Sequence, residues 1–189
     1  PILNRLCGDR PAKKPVIRAL ILTPTRELAV QIEQSIANYG RFIDVRALAI
    51  YGGVDIKKQL ATLRRGVDIV VATPGRLMDH MRRGTIRFDA VEVLVLDEAD
   101  RMFDMGFIED VYTIIRAVPD QRQTMLFSAT MPPEVQRLAA GVQKAPKTIQ
   151  IGVQENPIDT ITQHVHAVLR QQKIDLLLHM LHNRAMHSV

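Results

Sequence analysis

Val91-Glu92-Val93-Leu94-Val95-Leu96-Asp97-Glu98-Ala99-Asp100 is a mostly apolar run that ends in three carboxylates within four positions. Such a run reads as a strand buried on both faces of a parallel sheet. Open α/β sheets bind ligands at the carboxyl ends of their strands. Asp97 and Glu98 therefore stand where a hydrated metal ion is held and a water positioned, half of a phosphoryl-transfer site. Magnesium takes octahedral oxygen ligands and keeps several waters, so one Asp at a strand end can grip it through water. Glu98 can then orient and deprotonate the attacking water. The competing reading is an acidic helix start, with Asp97 as cap and Glu98 and Asp100 favoured by the helix dipole. The usual partner of such a site, a glycine-rich phosphate loop, has no counterpart: no Gly is followed by Lys and Ser or Thr.

Outward from this run, short apolar stretches alternate with amphipathic ones. Residues 18–23, 45–51, 68–72 and 123–128 read as further strands. Residues 25–39, 56–65, 74–83, 107–118 and 133–142 read as helices, with Leu28, Ile32, Ile36 and then Tyr39 at helical spacing. Strand–helix alternation at this spacing predicts an α/β fold, a mainly parallel sheet covered by helices. Residues 147–151 suit one more short strand, and residues 1–6 the tail of a helix. Gly, Asn and Pro gather in residues 152–159, which read as a linker. Residues 160–169 then alternate like a strand and residues 172–182 read as a helix. The expected organisation is a first domain over residues 1–151, the linker, and the start of a second domain over residues 160–189, too short to bury its own core.

Composition bounds the function. With 47% hydrophobic and 24% charged residues in 189, the chain is globular rather than disordered. The net charge of +5 suits a polyanionic partner or simply a basic surface. Cys7 is the only cysteine, so no intrachain disulfide forms, which suits a reducing cytoplasm. No apolar stretch approaches the ~20 residues of a membrane span, and no membrane partner is expected. Aromatics are 4% and Trp is absent, so base-stacking platforms are scarce. Nucleic-acid contact should then run through the backbone and be salt-sensitive. Lys57-Lys58, Arg64-Arg65 and Arg82-Arg83 read as solvated helix faces, and His164-x-His166 as a surface pair.

Four strands end in polar signatures, and parallel strands put those ends on one rim. Residues 18–22 lead into Thr23-Pro24-Thr25-Arg26-Glu27, and residues 68–72 into Thr73-Pro74-Gly75-Arg76. Residues 91–96 lead into the carboxylates, and residues 124–127 into Ser128-Ala129-Thr130. Ser128 and Thr130 lie two apart, so in extended backbone both hydroxyls share a side and can bond Asp100 or Asp97. Alternatively Thr130 starts the helix that follows Pro132. In each Thr-Pro-x-Arg segment, Thr suits a helix cap and Pro the first helical position. Arg26 and Arg76 then fall in a first turn, where the dipole disfavours a cation. Each needs an anionic partner: a phosphate held at the helix N-terminus, or an internal carboxylate such as Glu27 or Asp79. Gly52-Gly53 allows close backbone approach to a ligand, or is only a turn.

These motifs, in this order, resemble the DEAD-box RNA helicases of superfamily 2. Residues 23–29 look like motif Ia, Gly52-Gly53 like the GG element and residues 73–76 like motif Ib. Asp97-Glu98-Ala99-Asp100 looks like motif II and Ser128-Ala129-Thr130 like motif III. Residues 101–107 and 163–166 look similar to the RhlE-type bacterial subgroup. The resemblance implies RecA-like domains of the P-loop NTPase type that close on ATP, Mg2+ and RNA. It implies that Asp97 engages the magnesium ion and Glu98 activates water, and that Asp100, Ser128 and Thr130 couple hydrolysis to strand separation. Pro24, Thr25, Arg26, Gly53, Thr73, Gly75 and Arg76 would contact the RNA backbone. The family's Q motif and Walker A, and its motifs IV to VI, are missing, so the chain reads as an internal fragment, inactive alone, of an ATP-dependent RNA helicase. A DNA-directed superfamily 2 motor and a non-enzymatic RNA-binding module are the alternatives.

Overall fold

The computed structural model describes residues 1–7, 15–151 and 164–182. It divides the chain into two units, Pro1–Thr148 and Ile149–Val189. The first unit carries α1 (Ile2–Leu6), β1 (Ala19–Leu22), α2 (Arg26–Tyr39), β2 (Ala47–Ile50), α3 (Ile56–Arg65), β3 (Ile69–Ala72) and α4 (Pro74–Arg82). It continues with β4 (Val93–Leu96), α5 (Ala99–Asp104), α6 (Ile108–Arg116), β5 (Gln123–Leu126) and α7 (Pro133–Val142). The second holds a short 3-10 turn at Arg170–Gln172 and α8 (Lys173–Leu181).

The strands form one all-parallel sheet in the order β2-β3-β1-β4-β5. Alternate strand residues face opposite layers, so each central strand is apolar throughout. Ala19, Ile21, Val71, Val93 and Val95 pack with Leu6 of α1 and Ala29, Ile32 and Ile36 of α2. Leu20, Leu22, Val70, Leu94 and Leu96 face the other way, against Leu77 of α4, Met102 of α5, Ile114 of α6 and Leu138 of α7. Each fully buried Leu or Val contributes about 1.5–3 kcal/mol by leaving water. On the β2 edge, Glu33 of α2 accepts a hydrogen bond from the Ala49 amide at 2.8 Å, covering a donor no strand pairs.

The observed elements follow the sequence pattern with shorter strands. Tyr39 lies at the last turn of α2 and is 83% exposed, so the apolar stripe ends at Ile36. The helix α5 follows β4 after only Asp97 and Glu98, with no Gly or Pro to mark the turn, so the six-residue helix is hidden in the motif. Residues 147–151 form no strand, because nothing pairs with them among the described residues. The expected linker 152–159 and residues 160–163 lie outside the described residues. Residues 164–169 are not a strand either, and Val165 is 99% exposed. Alternation without a pairing partner leaves extended chain. His164 and His166 are exposed, their ring centroids 6.4 Å apart. The helix expected over residues 172–182 is α8, which exposes Ile174, Leu177 and Leu178.

Candidate active site at the sheet rim

The parallel ladder runs one residue past each strand and puts the motif residues in register. The Thr73 amide donates to the Ile50 carbonyl at 2.9 Å, and Thr23 to Ala72 at 3.0 Å. Asp97 donates to Leu22 at 2.9 Å, and Phe127 to Leu96 at 2.8 Å. The rim therefore reads, strand by strand, Tyr51–Gly53, Thr73, Thr23, Asp97 and Phe127–Ser128. The carboxylates and hydroxyls occupy one side, on β4 and β5, and the Thr-Pro-x-Arg and Gly-Gly segments the other, on β1 to β3. Connections leave β1 and β4 toward opposite edges, so Thr23 and Asp97 flank the switch point where such sheets open a crevice.

At that crevice the Asp97 carboxylate accepts a hydrogen bond from the Glu98 amide at 3.0 Å. Burial pushes its carboxyl above the usual range, the amide works against that, and the Glu98 charge adds to the rise. Glu98 has φ 50° and ψ 53°, a left-handed conformation costing a non-glycine residue roughly 1–2 kcal/mol. The turn from strand to helix is made at this residue, and its side chain meets Arg101 at 3.4 Å. The helix alternative is thus also realised, with Glu98 rather than Asp97 at the cap position and no side-chain cap bond.

Asp100 joins the two strand ends. Its Oδ2 accepts from the Thr130 amide at 2.9 Å and from the Thr130 hydroxyl at 2.8 Å, while its own amide donates to Ser128 Oγ at 3.1 Å. Burial would raise the Asp100 carboxyl, but the bonds from Thr130, Ser128 and the Arg101 amide together hold it below the usual range. Both hydroxyls serve Asp100, not Asp97, and Pro132 rather than Thr130 stands at the start of α7.

Thr25 caps α2, accepting from the Leu28 amide at 3.3 Å. Thr73 takes the same position before α4, with Pro74 first in the helix, but makes no side-chain cap bond. Pro24 is buried. Arg26 is exposed, meets no carboxylate among the described residues, and lies over the Tyr51 ring at 5.0 Å. Gly53 has φ 83°, and a Cβ there would stand 3.7 Å from Arg26 Nη1. A Cβ on Gly52 or Gly75 would meet nothing within 4 Å, so the fold itself does not demand glycine at either place. Arg76 differs from Arg26. Its Nη1 donates to the Val54 carbonyl at 2.8 Å and to Gln59 Oε1 at 3.2 Å, and its Nε lies 3.8 Å from Asp79. The internal partner named from sequence, Asp79, is present, at a distance that leaves the pair weak.

Two polar residues escaped sequence reasoning. Gln59 and His80 are 5% and 0% exposed, in helices whose pattern marks them as ordinary polar positions. The signal was a Gln and a His on the inward stripes of α3 and α4. The basic pairs on α3 and at the end of α4 are exposed, as expected. No cluster of three metal-ligating side chains exists among the described residues. A magnesium ion keeps several waters and takes one or two carboxylates plus substrate oxygens. Asp97 fits such an ion: it is a hard oxygen donor whose charge is left costly by burial and which a cation would relieve.

The DEAD/DEAH box helicase family model matches residues 1–138. An ATP-dependent RNA helicase CshA of Limosilactobacillus reuteri is 43% identical over 87% of this chain and 33% of its own length. The CshA of Listeria monocytogenes is 45% identical, over 87% and 32% respectively. The DEAD-box ATP-dependent RNA helicase CshA of Geobacillus kaustophilus is 42% identical, over 89% and 36%. The chain thus spans about a third of the length of these curated relatives, which carry the CshA name rather than an RhlE name. The yeast DEAD-box splicing factor Prp28 superposes with a TM-score of 0.66 and 38% identity, over 69% of this chain and 31% of that one. A hypothetical ATP-dependent RNA helicase from Sulfolobus tokodaii gives 0.65 and 40%, over 69% and 39%.

Proposed function

The chain belongs to the DEAD/DEAH box helicase family, and from that premise we propose that its protein is an ATP-dependent RNA helicase acting in the cytoplasm. The observation that carries the reading is the shared register of the rim, with Asp97 and Glu98 between the Thr23 and Ser128 strand ends. Residues 1–151 form the greater part of one RecA-like domain and residues 160–189 begin a second, joined by 152–159.

In this reading Asp97 is the residue that would hold Mg2+, through water as the family resemblance implies, and the ion would supply positive charge against the nucleotide phosphates. Glu98 takes the proton of the water that attacks the γ-phosphorus as the bond to the ADP oxygen breaks. Its left-handed backbone presents the carboxylate from the strand–helix junction rather than from within a helix. Asp100, with Ser128 and Thr130, ties the hydrolytic strand end to β5 and couples the nucleotide's state to the rim. Arg26, Thr25, Gly53, Thr73, Gly75 and Arg76 face the RNA backbone, where glycine admits close approach and free helix amides bind phosphate; Pro24, expected with them, is buried. The test is RNA-stimulated phosphate release by the complete protein, with DNA of the same sequence alongside. Glu98→Gln should lower kcat by about 10²–10⁴-fold, the range for removing a general base. Parental turnover in that variant sinks the catalytic assignment, and equal stimulation by DNA sinks the RNA preference.

A further inference from the structure

We propose that Gln59 and His80 are positioning residues that preassemble the strand-binding side of the rim by holding Arg76 and the Gly52-Gly53 loop in one arrangement. The inference rests on the RNA-binding reading of that side. Gln59 Nε2 donates to the Tyr51 carbonyl at 3.1 Å, where the loop begins. Arg76 Nη1 donates to the Val54 carbonyl at 2.8 Å, where the loop ends. Gln59 Oε1 accepts from the same Nη1 at 3.2 Å, closing a clamp around the two glycines. Within it Gly53 comes to lie against Arg26. The clamp therefore sets the spacing between the exposed guanidinium of one helix start and the backbone of the next loop.

Donor and acceptor chemistry fixes the orientation of the Gln59 amide. A guanidinium only donates and a carbonyl only accepts, so the Gln59 amide cannot be reversed. His80 Nε2 lies 3.1 Å from Gln59 Oε1 and must carry a proton. Burial holds the ring below its usual protonation range; Arg76 and Arg83 lower it further and Asp79 opposes them. The neutral ring then has its only proton on Nε2, which leaves Nδ1 an acceptor 2.8 Å from Thr85 Oγ1, whose single proton the His80 carbonyl at 3.0 Å shares. Gln59 is thereby held from behind, in a site that exposes 5% of it. Among the described residues no buried side-chain polar atom lacks a partner. A simple core Gln and His would need partners, but not partners on both ends of a glycine loop and on an arginine of the rim. An apolar residue at 59 leaves the Tyr51 carbonyl and Arg76 without their partner and frees the loop.

The test uses the complete protein and measures the apparent KM for RNA and kcat separately in RNA-stimulated ATP hydrolysis. Gln59→Met, nearly isosteric, should raise the RNA KM about tenfold, the loss of roughly one charge-assisted bond. The kcat at saturating RNA should stay within twofold. His80→Leu should do the same and His80→Gln, which can still donate to Gln59, should restore most of it. In an Arg76→Ala background Gln59→Met should add less than twofold, because both act through one guanidinium. An unchanged RNA KM in folded Gln59→Met, or full additivity with Arg76→Ala, overturns the proposal. Should Gln59→Met fail to fold, the His80 pair decides: an RNA KM unchanged in folded His80→Leu, or raised equally in His80→Leu and His80→Gln, overturns it. Absence of RNA stimulation in the parent removes the underlying reading and this inference together, whereas stimulation with an unmoved KM removes only the inference.

Discussion

Asp97 and Asp100 are three positions apart and their environments push their carboxyls in opposite directions. Burial makes the charge of Asp97 costly, so its folded pKa lies above that of the unfolded chain. Asp97→Asn keeps the acceptor for the Glu98 amide and removes the charge. It should raise the Tm of the chain at pH 7 while abolishing ATP hydrolysis by the complete protein; thermal melts and phosphate release check the two halves. Asp100 has the opposite sign. Its folded pKa lies below 3.8, so its contribution is full above 3.8 and is lost as pH falls from there through the folded value. Unfolding by urea at stepped acid pH should show that loss in the parent and a shallower one in Asp100→Asn. The residue types of both were legible in the motif. Their opposite environments were not, because the hydroxyls that charge-stabilise Asp100 come from residues 28 and 30 positions later.

Between helices the two Thr-Pro-x-Arg segments look alike in sequence and differ in the fold. At the start of α2, Arg26 is exposed and among the described residues makes only a ring contact, worth about 0.5–1 kcal/mol at such a site. At the start of α4, Arg76 holds a carbonyl and an amide oxygen across to the β2–α3 loop. Arg26→Ala should therefore leave Tm nearly unchanged, and in the complete protein should weaken RNA binding while flattening the salt dependence by about 0.7 in log–log slope, one phosphate contact to a single strand. Arg76→Ala should weaken binding too, but also cost roughly 1–3 kcal/mol in a urea melt, since it strands buried partners. An equal stability loss in both would show Arg26 to have an internal partner. The expected helices were recovered nearly to the residue on α3 and α7 because each starts on a side-chain cap or a proline and carries a clean apolar stripe. The short α5 was legible only as the acidic helix start weighed at Asp97, because a six-residue helix has too few turns to show a period.

Taken whole, the first unit has a five-stranded parallel sheet among its described residues and a polar rim, but its sequence carries no Gly-Lys-Ser or Gly-Lys-Thr. A triphosphate on this rim would meet Asp97 and Glu98 without the amide cradle and lysine that hold its β and γ groups. The chain by itself is therefore expected to show no RNA-stimulated ATP hydrolysis, and turnover that disappears in Glu98→Gln would contradict this.

Parallel strands, their helical cover and the chemistry at each strand end were determined by the sequence, because apolar runs, caps and motif residues act on neighbours a few positions away. The order β2-β3-β1-β4-β5 was decided only by the tertiary structure, and with it which motifs share a side of the rim. The same holds for the left-handed turn at Glu98 and for the bonds from Gln59 to Arg76 and His80, 17 and 21 positions apart. Those depend on crossovers that bring distant segments into contact, and a hydrogen bond across such a distance leaves no periodic trace in the chain.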